Sequence, residues 1–296
     1  MKYFDLHCDT IQCAYNTQQS LWNNTLHVSL EKTAIYERYS QLLAVFSRPA
    51  LSDDECYERF FKVVEHYRTQ QLPDNFTGII AIECGKLLGG RLERVDELYK
   101  AGVRFMTMVW GSRTCIGSAH NDPEDIGYTE FGLKAARRCF EVGIVPDMSH
   151  CSDKLFWQTS ELADEYKKPF IATHSNSRAL CNIPRNLSDD MFKAIVKANG
   201  IVGVSMVRKH LCEGDVCGMD QIRAVIEHYL SLGGEKTVAM GCDLDGTNPL
   251  PDGLMGVGDI CKIADHLAQH NYSQSLIDDI FYNNANNFML RNGILQ

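Results

Sequence analysis

An α/β fold, a (β/α)8 TIM barrel with extra C-terminal helices, is what this sequence predicts, and three observations carry the expectation. Short, β-branched apolar runs alternate with longer stretches of helical period, the pattern of successive βα units around a parallel sheet. The apolar runs number eight, which is the barrel number. The 296 residues match one such barrel in length, and no internal repeat or low-complexity linker divides them, so residues 1–296 read as a single domain.

The predicted strands cover residues 3–8, 41–46, 78–82, 103–109, 143–149, 169–173, 200–206 and 237–242. Ser52 followed by Asp53, Asp54 and Glu55 offers an N-cap and an acidic first turn to a helix running to about residue 70. Ser188 with Asp189 and Asp190 does the same for a helix over 191–198. Gly102, Gly143 and Gly200 each fall between a helix and the next strand, where left-handed caps are expected. Two connections are long for a barrel: residues 10–40, and the Gly-, Ser-, Asn- and Asp-rich stretch 111–129, which is expected at the catalytic mouth. Beyond strand eight the chain finishes in helical segments over 257–269, 273–282 and 284–292.

A formal charge of -9 with no basic run argues against nucleic acid as a partner, because phosphate binding needs concentrated Lys and Arg. No apolar run approaches the roughly 18 residues of a membrane helix, and the start lacks the features of a secretory signal. A cytoplasmic protein without membrane association is therefore expected. The twelve cysteines are scattered, with no Cys-x-x-Cys pair, and are expected to be mostly reduced and buried.

The residues that carry chemistry stand at strand ends. His7 and Asp9 close strand one, and residues i and i+2 of a strand point the same way, so an imidazole and a carboxylate can grip one metal ion. Glu83 closes the apolar run 78–82, and a carboxylate at a buried strand end must find a cation or donors. His150 and His174 follow strands five and six, and Asp243 follows strand eight. Barrel active sites are built at these carboxyl ends. The expected arrangement has His7 and Asp9 on one ion, His150 and His174 on a second, and Glu83 bridging them. Imidazole and carboxylate ligands suit Zn²⁺, and a bridging water between two such ions reaches a pKa near neutrality, which points to metal-assisted hydrolysis with two Zn²⁺ per chain. Asp243 is placed to handle the proton. Arg185, after strand six, is placed to hold a substrate carboxylate through two parallel hydrogen bonds. Taken singly each has a plainer reading: Asp9 as a helix cap, His150 as a satisfied core histidine, His174 as a neighbour of a helix cap, Arg185 as a surface residue. Asp245 is read as a turn former beside Gly246.

In this order, these segments resemble the renal (membrane) dipeptidase family of metal-dependent, amidohydrolase-like barrels. The resemblance rests on 4–10 with its His-x-Asp, on Glu83, on 147–150 and 173–176 with their histidines, on Arg185-Asn186, and on 241–246 with its Gly-x-Asp-x-Asp-Gly. It implies a binuclear zinc dipeptidase, often a homodimer, that accepts short dipeptides including those with a D-residue at the carboxyl-terminal position. It also implies that Asp243 is the acid/base group. One departure is visible. Where the renal enzymes carry a substrate-contacting histidine at the end of strand four, this chain has Trp110, which offers only an indole N–H donor. Two other readings stay open: an amidohydrolase for N-acyl-amino acids, lactones or cyclic amides, and a non-catalytic barrel that binds metal or a ligand.

Overall fold

The computed structural model describes residues 1–296. Seven parallel strands form one sheet: β1 (Lys2–Cys8), β2 (Arg38–Phe46), β3 (Phe76–Glu83), β4 (Phe105–Thr107), β5 (Val145–Asp147), β6 (Val202–Val204) and β7 (Val238–Met240). Their order is β5-β4-β3-β2-β1-β7-β6. The gap between β5 and β6 is spanned by the predicted sixth strand, residues 169–173, which makes isolated bridges instead of a regular ladder. Ile171 bridges Asp147 and Ala172 bridges Val202, both in parallel. Eight staves therefore close the barrel, and the eighth is held by backbone bonds such as Met148 N–H to Ile171 O at 2.8 Å. Four of the regular strands are only three residues long, shorter than their apolar runs, because the ends of those runs turn outward into the site loops.

Side chains pointing into the barrel confirm the eight staves. Phe4, Leu42, Ile79, Phe105, Val145, Ile171, Ile201 and Ala239 form one buried cluster. Tyr282, Ala285, Phe288 and Met289 from the C-terminal helical run join it and plug the amino end of the barrel. The opposite, carboxyl end is left for polar side chains. Register aligns them: Phe46 pairs with Glu83, Glu83 with Thr107, and Thr107 with Asp147.

The surrounding helices begin where the sequence signals them. Ser52 and Glu55 form a reciprocal capping box on the helix Asp53–Arg68, a motif worth about 1 kcal/mol. Its buried residues Cys56, Phe60, Val63, Val64 and Tyr67 recur at helical spacing and face the sheet. Ser188 caps Asp189–Lys197 through Met191 N–H. Gly143 ends the helix Glu130–Val142 with φ 97°, as expected. At 200 the expectation fails: Asn199 takes the left-handed conformation (φ 54°), and Gly200 is instead needed because a Cβ there would overlap the Phe170 carbonyl oxygen. The connection 10–40 is also more ordered than predicted, since it opens with a helix, Thr10–Thr17. No helix is long and apolar enough to cross a membrane.

Two glycines tie the fold to the site. A side chain at Gly203 or Gly241 would collide with the backbone carbonyl of Thr173 and with the opposite glycine. Their bareness lets the 169–173 stave press against β6 and the end of β7, which sets the position of Thr173 and His174.

Candidate active site

Six of the predicted site residues converge at the carboxyl mouth, and all six come from different turns of the barrel wall or lie two residues apart on it. Glu83 is the meeting point. Its Oε2 lies 3.7 Å from His7 Nε2, while its Oε1 lies 3.1 Å from His150 Nε2 and 3.6 Å from His174 Nε2. One carboxylate oxygen thus faces each histidine group. On the first side, donor atoms of His7, Asp9 and Asp243 lie within 4.8 Å of one another, and on the second the same holds for Glu83, His150 and His174. His7, Asp9, Glu83 and His174 are buried, and the side chains of His150 and Asp243 are nearly so.

Local backbone geometry delivers the groups. Asp9 occupies the N-cap position of Thr10–Thr17 but makes no capping hydrogen bond, so its carboxylate is free for the site, where it accepts from Gln12 Nε2. His150 (φ 70°) and Asp243 (φ 59°) both sit in the left-handed region, a costly conformation for such residues that re-aims the chain at the end of a strand. Gly246 is hemmed in by the Asp243 and Asp9 carboxylates, and a Cβ there would overlap both. Asp245 points elsewhere: it accepts from Thr10 Oγ1 at 2.6 Å and from the backbone N–H of His27 at 2.6 Å, pinning the 10–40 connection to the last loop.

The histidines are held from behind. Thr173 Oγ1 donates to Asp147 Oδ2 at 2.6 Å, and the same oxygen lies 2.8 Å from His174 Nδ1 and 3.2 Å from His7 Nδ1. With its proton committed to Asp147, Thr173 accepts from the Nδ1–H groups. This turns Nε2 of both His7 and His174 towards Glu83. Asp147 is itself fixed by Thr107 Oγ1 and by the backbone N–H groups of Ser149 and Thr173. Neither Asp147 nor Thr173 stood out in the sequence as more than a motif neighbour. The available signal was a polar residue at a buried strand end directly beside a ligand-type histidine.

Charge is unbalanced here. Burial alone would lower the pKa of His7, but Glu83, Asp243 and Asp9 raise it to about 10. Burial opposes ionisation of Glu83, yet His7 and His150 hold it well below the usual carboxylate range. Burial and then the charge of Glu83 push Asp9 well above that range. Asp243 is pushed up to about 7 by burial, with His7 opposing and Glu83 adding to the rise. Burial, followed by Arg185, lowers His150 to about 3. Burial and then His7 hold His174 well below the ordinary histidine value. Three buried carboxyl groups therefore share the charge of one imidazole. His7 Nε2 is also sealed from solvent without a hydrogen-bond partner. An imidazole nitrogen without a hydrogen-bond partner among surplus carboxyl groups fits divalent cations, which would supply the missing charge.

Arg185 and Trp110 border the cluster. Arg185 is buried, not a surface arginine, and donates from Nε to His150 Nδ1 at 3.2 Å, from Nη1 to Ser175 Oγ at 2.8 Å and from Nη2 to the His174 carbonyl at 2.8 Å. Trp110 stacks edge-on against Phe46 with ring centres 4.7 Å apart, and its ring centre lies 5.8 Å from that of His150. Both Trp110 and Phe46 wall a cavity of about 340 Å³ that opens onto Asp9, Glu83, His150 and Asp243.

An α/β barrel with a buried carboxylate bridging two imidazole groups defines the class of metal-dependent hydrolases. Within that class the chain belongs to the membrane dipeptidase family (peptidase family M19), which matches residues 1–289. It is 32% identical over 200 residues to an uncharacterized protein in the pqqA 5' region of Klebsiella pneumoniae, covering 64% of this chain and 72% of that one. It is 25% identical over 212 residues to dipeptidase 3 of Rattus norvegicus, covering 70% of this chain but 43% of that protein. Among solved structures, a dipeptidase AC described as a metallo peptidase superposes with TM-score 0.88 at 21% identity, over 99% of this chain and 98% of that one. A metallo peptidase from Rhodobacter sphaeroides, liganded with a phosphinate mimic of the dipeptide L-Ala-D-Ala, superposes with TM-score 0.83 at 20% identity over 99% of both chains.

Proposed function

We propose that this protein is a zinc-dependent dipeptidase that hydrolyses short dipeptides, including those with a D-residue at the carboxyl-terminal position. The observation that carries the reading is the division of the Glu83 oxygens, one towards His7 and one towards His150 and His174. His7, Asp9 and Glu83 would hold one Zn²⁺, and Glu83, His150 and His174 a second. Bound there, the ions supply Lewis acidity and an activated water at neutral pH.

The protein's own groups complete the chemistry. Asp243, raised towards neutrality by burial, takes a proton as water attacks the peptide carbonyl and returns it to the leaving amine. Arg185 holds the free carboxylate of the substrate. Its Nε–H points at His150 Nδ1; a metal held at His150 Nε2 would favour the ring proton on Nδ1 and so release that N–H for the substrate. Trp110 and Phe46 wall the cavity and exclude water from the reacting carbonyl. The phosphinate dipeptide mimic bound by the Rhodobacter relative supports the substrate class and its L,D stereochemistry.

The test is a screen of L,L and L,D dipeptides with protein reconstituted in zinc. About two equivalents of Zn²⁺ per chain, activity abolished by chelation and restored by zinc, support the proposal. Zinc-loaded protein that cleaves N-acyl-amino acids or lactones but no dipeptide would replace it with a different amidohydrolase.

A further inference from the structure

Away from the barrel mouth, one further group of ligand-type side chains comes together on the outer helices. Asp220 stands in the first turn of the helix Met219–Ser231, which precedes β7. His266 and His270 stand at the end of the helix Cys261–Gln269, which follows it. The donor atoms of the three lie within 4.8 Å of one another, the same spread as in the barrel triads.

The sequence builds half of this group by itself. Residues four apart on a helix share a face, one turn above the other, and the rings of His266 and His270 have their centres 4.4 Å apart. Two helical histidines grip one zinc ion at this spacing. His270 Nδ1 lies 2.8 Å from the His266 carbonyl oxygen. A carbonyl can only accept, so Nδ1 carries the proton and, in the neutral ring, Nε2 carries the lone pair. A backbone carbonyl behind one ring nitrogen is the usual support of a metal-binding histidine.

The other helix supplies the charge. His266 Nε2 lies 3.1 Å from Asp220 Oδ1, and an ion between them takes the place of the shared proton. Arg223 Nε approaches the same oxygen at 3.6 Å, while its Nη1 pairs with Glu227 at 2.9 Å. Two carboxylates thus face one guanidinium, and one negative charge is left for a cation. The contact of His266 with Asp220 alone would be an ordinary surface pair of little worth. His270 is the informative member: it bonds to neither of their side chains, yet its ring is brought within reach of both.

We propose that Asp220, His266 and His270 form a separate surface site for a divalent transition-metal ion, with Zn²⁺ suited to two imidazoles and a carboxylate. The ion joins the helices on either side of β7 and stabilises their packing in proportion to the free metal. This site is independent of the barrel chemistry.

Equilibrium dialysis against buffered free zinc tests it, on the parent protein and on His266→Gln and His270→Gln. At saturation each variant should hold one equivalent fewer than the parent, with turnover of the parent's substrate unchanged. Because the count is a difference, it does not depend on how many ions the barrel holds. His266→Gln keeps an N–H for Asp220, so it separates loss of a metal ligand from loss of the contact between helices. Equal zinc content in the parent and both variants overturns the site. Zinc-soaked crystals of the parent give a measure that needs no variant: an anomalous peak among the three side chains is expected, and no peak there at saturating zinc overturns the proposal.

Discussion

Thr173 gives its hydroxyl proton to Asp147 across 2.6 Å, and that single bond settles the orientation of two histidines. Because the Thr173 oxygen is left as an acceptor, His174 and His7 present Nδ1–H to it and turn Nε2 towards Glu83. Outer contacts of this kind typically cost 10- to 100-fold in metal affinity when lost. Thr173→Val, close in shape but without the hydroxyl, should therefore weaken zinc binding by about that factor and lower activity at limiting zinc, with activity recovering at excess zinc. Competition against a chromophoric chelator measures it, and affinity equal to the parent would count against the relay. Asp147→Asn should do similar damage by allowing the Thr173 hydroxyl to turn round.

Gly246 is the second point at which the fold makes room for the site. A methyl group there overlaps the carboxylates of both Asp9 and Asp243, while the residue itself lies in a partly exposed loop that can shift without disturbing the barrel core. Gly246→Ala should thus separate activity from stability. We expect kcat/KM to fall at least ~100-fold, a displaced-carboxylate effect, with a melting temperature within a few degrees of the parent. Loss of folding without a selective loss of activity would show that Gly246 serves the loop alone.

Much of this was legible in the sequence, and what was not has a physical reason. Seven apolar runs became regular strands, and the eighth, 169–173, became a stave held by isolated bridges, because apolar periodicity reports burial and not ladder regularity. His7, Asp9, Glu83, His150, His174 and Asp243 were all readable as polar interruptions at strand ends, and the closed barrel brings them together. Thr173 and Asp147 were silent: what they do depends on a hydrogen bond between two staves. The left-handed residue was misplaced by one, to Gly200, because Asn also tolerates that conformation and the glycine was required for space.

Site charge makes stability depend on pH and on cation. His7 has a folded pKa of about 10 against an ordinary 6.5, so its contribution is complete below 6.5 and is lost as pH rises towards 10. Asp243, at about 7 against 3.8, and Asp9, shifted the same way, stabilise the fold at low pH and cease to do so as pH rises through their folded values. Glu83 runs the other way, and its contribution is lost only as pH falls below the ordinary carboxylate range. His150 and His174, held neutral in the fold, oppose this below the ordinary histidine value, so it is between about pH 7 and pH 9 that the chelated protein should lose stability as pH rises, by up to ~1.4 kcal/mol per pH unit for each proton released. Zinc replaces those protons. The gap in melting temperature between zinc-loaded and chelated protein should widen across that range, and calorimetry showing a constant gap would contradict this account.

Arg185 decides which hydrolase this is. A buried guanidinium whose three nitrogens all touch the wall around His150 and His174 serves either to brace those histidines or to meet a substrate carboxylate. Arg185→Met keeps most of the side-chain volume and removes the charge. If Arg185 meets the carboxylate, KM for dipeptides should rise about 10- to 100-fold, the size of a lost charge-assisted contact, with kcat and zinc content little changed. If it only braces His150, zinc affinity and kcat should fall together while KM holds. Measuring kcat, KM and bound zinc on one preparation tells the two apart, and an unchanged KM would remove the main reason for choosing a dipeptide over a neutral lactone or cyclic amide as the substrate.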